Sequence, residues 1–161
     1  MKEEHLNIII CCGRGTGYDP WVRYALRYLP ADILREFGEK LAFFSTAGED
    51  ACRVARAIRE QREIVLLSER ILPTKSDASK ERYFVFVVLH EIAHASKQHR
   101  SPSLDRLTQE EIAAQEKEAN ELALSWFNDY VEKNKHLNIE RLTLREIEKT
   151  KRKNQELMKK E

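Results

Sequence analysis

Apolar residues fall first in short runs and later at helical spacing. Residues 7–12 (NIIICC) form a compact apolar run that predicts a short buried strand, and GRGTGYDP after it predicts a turn ending in Asp19-Pro20, an N-cap and first helical residue. A helix is expected over 20–29, where Pro30 breaks it, and ADILREFGEK (31–40) restarts a helical period. LAFFST (41–46) reads as a second strand. In GEDACRVARAIREQ (48–61), Ala51, Val54, Ala55 and Ile58 recur at spacings of three and four, which predicts a helix before a third strand in REIVLLSERIL (62–72).

The second half of the chain is helical in pattern. In ERYFVFVVLHEIAHASKQH (81–99) two signals oppose each other, because YFVFVV has strong β propensity whereas the polar residues at 90, 91 and 94 share a site only on a helix. A helix buried on most sides is expected. HRSPSLDRL (99–107) is a loop, and Thr108 with Glu111 makes a capping box that opens a helix over 109–132. Thr143 with Glu146 repeats the signal for a last helix. The fold class expected is α+β: a small mixed sheet of about three strands packed with these helices.

Composition narrows the setting. The 161 residues suit one domain, 1–161, with a charged helical tail from about 140 to 161. Charged residues make up 34% of the chain but the net charge is +1, so no membrane or nucleic-acid partner is expected from charge. The N-terminal apolar run is too short for a signal peptide, and no window nears the roughly 20 apolar residues of a membrane span. Cys11, Cys12 and Cys52 give an odd count with no metal-finger spacing. A soluble protein of the reducing cytoplasm is expected. GRGTG lacks the further residues of a phosphate loop and reads as turn glycines. The basic KTKRK is interleaved with glutamate and reads as a solvated helix end, and Trp21 and Trp126 read as core.

The chemistry lies in VVLHEIAHA (87–95). On a helix, residues four apart share a face, so His90 and His94 present imidazole nitrogens to one point, half of a tetrahedral zinc site with bonds of about 2.0–2.1 Å. Glu91 lies about 100° round the helix from His90, placed as a general base rather than a ligand. Burying two imidazoles and a carboxylate beside Phe86, Val87, Val88 and Leu89 costs several kcal/mol unless a partner such as a metal satisfies them.

A catalytic zinc takes a third protein ligand. The extended HExxHxxGxxH pattern fails, since Lys97 and Arg100 occupy its last positions and His99 misses by one. The thiols lie far upstream and read as core filler. A carboxylate from 109–132 remains. Ile112, Ala119, Ala123, Trp126, Phe127 and Tyr130 form the stripe expected to face the HExxH helix, and Glu116 falls within it, which makes it the third ligand. Glu118, on a more solvated stripe, is the second choice. Tyr83, His99 and Tyr130 are possible second donors to a tetrahedral oxyanion.

Two segments, FVVLHEIAHA (86–95) and EKEANELA (116–123), resemble the ImmA/IrrE metallopeptidases. The first is similar to that family's apolar entry to HExxH and the second to its E-x-x-A-N-x-x-A helix. The resemblance, over roughly 60–130, implies a zincin-like, gluzincin fold with Zn2+ on His90, His94 and Glu116 and with Glu91 as base. The segment SWFNDYVEKNKH departs from the family's hydrophobic continuation, and no helix-turn-helix domain is present, so a minimal catalytic module is expected. The function expected is zinc-dependent hydrolysis of peptide bonds, with a protein or peptide as substrate that adds as a strand to the edge of 63–68. The other reading is a metal-binding regulatory or interaction module with little proteolysis. An intact Glu91 favours the peptidase.

Overall fold

One helix, Ala78–Ser96, organises the architecture, and its sequence explains why. The computed structural model describes residues 8–11, 18–46, 51–54, 63–73, 77–102 and 104–158. Strand β1 (Ile9–Cys11) is followed by helices α1 (Tyr18–Leu26) and α2 (Ala31–Phe37), then by strands β2 (Leu41–Thr46), β3 (Ala51–Val54) and β4 (Glu63–Ser68). Helices α3 (Ala78–Ser96), α4 (Gln109–Lys133) and α5 (Leu144–Met158) complete the described chain. The GRGTG turn, Cys12 and residues 55–62 lie outside the described residues.

The sheet has the order β1-β2-β4-β3, with β1, β2 and β4 parallel and β3 antiparallel to β4. The fold is therefore mixed α+β, with one strand more than expected. The helix expected from Ala51 and Val54 is instead a strand: Ala51 pairs with Leu67 and Val54 with Ile64. A three-and-four spacing carried by so few residues is weak, and a ladder against an apolar strand overrides it. The strand also encloses β4 between β2 and β3, so 63–68 offers no open edge. Among the described residues, the edges belong to β1 and β3.

The β propensity of YFVFVV is overridden in α3 for a related reason. Asp77 caps the helix by accepting from the backbone N–H groups of Ser79 and Lys80, and Tyr83 to Leu89 are all buried. Contacts with α1, α4, α5, β3 and β4 surround the helix. A helix that is apolar all round is stable only when buried in this way. One continuous core runs from Ile8 to Ile147. Tyr28 stacks on Phe127 and lies against Tyr130, which joins α4 to the connection between α1 and α2.

Helix α4 starts at its predicted capping box. Glu111 N–H donates to Thr108 Oγ1 at 3.2 Å and Thr108 N–H donates to Glu111 Oε2 at 2.8 Å. These bonds satisfy helix-end donors and hold the Glu111 carboxyl below its ordinary range. Asn128 bonds both ways with the Leu142 backbone, at 2.8 and 3.0 Å, which fixes the approach of α5. Helix α5 is thus docked, with Leu142 before it and Ile147 within it buried. Among the described residues, no helix is long and apolar enough to cross a membrane.

Candidate metal centre

Helix α3 places His90 and His94 on one face, and α4, whose small Ala119 and Ala123 are fully buried, packs against α3. Glu116 stands one turn before Ala119 and meets both imidazoles. His90 Nε2 is 3.1 Å from His94 Nε2, and each is 3.4 Å from one oxygen of the Glu116 carboxylate. The three ligand atoms lie within 4.8 Å of one another. Two donors bound to one tetrahedral zinc at about 2.0–2.1 Å stand about 3.3–3.4 Å apart, so these separations leave an ion's place between them.

The electrostatics agree with that fit. The neighbouring imidazoles hold the Glu116 carboxyl far below its ordinary range against the opposing effect of burial. Both histidine side chains are largely buried, while Glu116 is 50% exposed, so the group opens to solvent on the α4 side. Glu91 is buried directly after His90. His90 Nδ1 is buried and has no hydrogen-bond partner among the described residues. A His-His-Glu set of this kind can hold a divalent metal ion.

Residues 97–99 contribute something that motif spacing did not reveal. Gln98 has φ 54°, in the left-handed region. Gln98 N–H donates to the carbonyl of Ala95 and His99 N–H to that of His94, both at 3.0 Å. Those two bonds define a Schellman ending, in which the residue after the left-handed position folds back on the last helical turn. His99 is therefore buried against His94, with Nδ1 to Nδ1 2.9 Å apart, and its Nε2 is 3.1 Å from Glu118 Oε2. Lys97 Nζ completes the group at 2.7 Å from Glu118 Oε1. Lys97, then His99, hold the Glu118 carboxyl below its usual range.

The expected site residues are thus sorted. His90, His94 and Glu116 converge, Glu91 is buried next to His90 in the chain, and Glu118 is engaged with His99 and Lys97 rather than with the His90–His94 pair. The oxyanion candidates do not gather there. Tyr130 lies fourteen residues from Glu116, about 21 Å along α4 at roughly 1.5 Å per residue, in the aromatic cluster with Tyr28. Tyr83 is buried seven residues before His90, about 10 Å along α3, and His99 is committed to His94 and Glu118. A helix stop without glycine hid the Schellman ending from sequence reasoning. The available signal was the five-residue offset between His94 and His99, which joins the third-last helical position to the second beyond the cap. Compared with protein families, with curated proteins and with solved structures, the chain matches none.

Proposed function

We propose that the chain is a zinc-dependent metallopeptidase in which His90, His94 and Glu116 hold the ion and Glu91 is the general base. The observation that carries this reading is the convergence of the three donors from two helices beside a buried glutamate. Two imidazoles and one carboxylate suit zinc, although manganese and iron accept the same donors. Zinc held there supplies Lewis acidity, which acidifies water and polarises a peptide carbonyl.

The chain's own residues account for the rest. Glu91 accepts a proton from the attacking water and returns it to the leaving amine, a role that requires a carboxylate kept beside the ligands but out of their set. The half-exposed Glu116 leaves an open side by which a protein or peptide segment enters. The resemblance of 86–95 and 116–123 to ImmA/IrrE peptidases supports this assignment, as does the antiparallel β3 against α3, which suits a zincin-like arrangement. An extended substrate would pair along the outer edge of β3.

Metal analysis by mass spectrometry on chain purified without chelator tests the reading, with a peptide-library cleavage assay beside it. About one zinc per chain, lost in Glu116→Gln, is expected of three-ligand coordination. Cleavage should be abolished in Glu91→Gln with zinc retained. No stoichiometric metal after zinc addition would sink the reading. Zinc with no Glu91-dependent cleavage would leave the regulatory metal-binding module.

A further inference from the structure

We infer that His99 and Glu118 are positioning residues that fix the tautomer of His94 and aim its Nε2 lone pair at the metal centre. The inference deepens the metal reading above and rests on it for its consequence, although the tautomer itself can be observed without any ion.

The direction of each hydrogen bond follows from what the groups can do. An ionised carboxylate only accepts, so the 3.1 Å contact between His99 Nε2 and Glu118 requires the proton on His99 Nε2. Neutral His99 then carries a lone pair on Nδ1, and the 2.9 Å contact with His94 Nδ1 requires a proton on His94. Neutral His94 is left with its lone pair on Nε2, so the proton in the 3.1 Å contact between the two motif histidines sits on His90 Nε2, which also faces Glu116 at 3.4 Å. The 3.4 Å approach of His94 Nε2 to Glu116 is a proximity rather than a hydrogen bond. One exposed carboxylate thereby determines which nitrogen of a largely buried ring is free to ligate. Ligating histidines usually gain this orientation from a direct acceptor on their second nitrogen. Here another histidine is that acceptor.

The two histidines of the motif therefore differ. His94 is held in ligand form before any ion arrives. His90 Nδ1 has no partner among the described residues, so no equivalent device fixes its ring. The loop that carries His99 is itself tied to α4: Arg100 N–H donates to Gln115 Oε1 at 2.7 Å, and the Arg100 guanidinium pairs with Glu111. The same helix supplies Glu116, so ligand and positioning group share one rigid frame.

The experiment has two readouts on the full chain. In 15N-labelled metal-free protein at about pH 8, where an ordinary imidazole is neutral, long-range 1H–15N spectra should show His94 protonated on Nδ1 and His99 on Nε2. Zinc affinity is then measured by competition with a chromophoric chelator. His99→Phe, which keeps the ring volume, should bind zinc about 10–100-fold more weakly. His99→Gln, with an acceptor and a donor on one side chain, should recover most of that loss. A purely structural role would rank these variants the other way, since phenylalanine is the better space-filler.

His94 protonated on Nε2 in the metal-free protein would overturn the inference, as would His99→Phe binding zinc within twofold of wild type. Glu118→Gln abolishing zinc binding as fully as Glu116→Gln would also overturn it, by making Glu118 a ligand. Wild type that fails to bind zinc while His94 carries its proton on Nδ1 would defeat the metal reading and leave the tautomer assignment supported.

Discussion

Replacing Ala119 with leucine should damage the candidate metal centre without touching a proposed ligand. Ala119 is fully buried on the α4 face that packs against α3, three residues after Glu116. The added carbons have nowhere to go unless the helices separate. Overpacking of this kind costs about 1–3 kcal/mol, even though burying each added methylene returns up to about 0.8 kcal/mol. With a urea m value of about 1–3 kcal/mol/M, the unfolding midpoint should fall by about 1 M. Metal geometry tolerates only about 0.5 Å of misplacement, so moving α4 off α3 should cost Glu116 its place and lower zinc affinity at least tenfold. Urea unfolding followed by circular dichroism and chelator competition measure the two effects. Ala114→Leu, at an exposed position of the same helix, should change neither. An Ala119→Leu protein with the wild-type midpoint and zinc affinity would refute the claim that close helix packing builds the site.

Three further outcomes follow from other positions. The lowered Glu111 carboxyl stabilises the folded state above the unfolded pKa of about 4.3, and this contribution disappears as pH falls through the lower folded value. The stability difference between wild type and Glu111→Gln should thus shrink as urea titrations move from pH 6 to about pH 3, and a constant difference would contradict the assignment. Gln98→Gly should raise stability by up to about 1 kcal/mol, because a left-handed position suits glycine better; thermal unfolding checks it. Asn154 is 7% exposed with its amide nitrogen unpartnered among the described residues. Replacing an unsatisfied buried donor by a similar apolar group removes a cost of about 1–3 kcal/mol. Asn154→Leu should therefore increase the urea midpoint, and a decrease would show that the amide is satisfied.

The site was more legible than the sheet, for physical reasons. A helix imposes its own periodicity, so the four-residue offset of His90 and His94, and the placing of Glu116 among Ile112 and Ala119, could be read locally. The burial of α3 was legible from its unbroken apolar run. Strand pairing is not local, and nothing within 51–54 announces a ladder with β4, which is why a short three-and-four spacing misled. The roles of His99 and Glu118 depended on a left-handed residue that is not glycine. Their side chains carry the expected chemistry, but only the backbone turn reveals what each one touches.

The Schellman ending of α3 joins two equilibria that are usually considered separately. The last turn of a helix opens more readily than its middle. Here that turn carries His94 and, through His99, the group that orients it. Opening must release His99 from His94, so an ion that favours the oriented imidazole also favours the closed turn, and linkage makes the effect reciprocal. The amides of Gln98 and His99, which donate to Ala95 and His94, then become reporters of occupancy. Their exchange with deuterium should slow as the ion binds, at a distance of one side chain from any ligand atom.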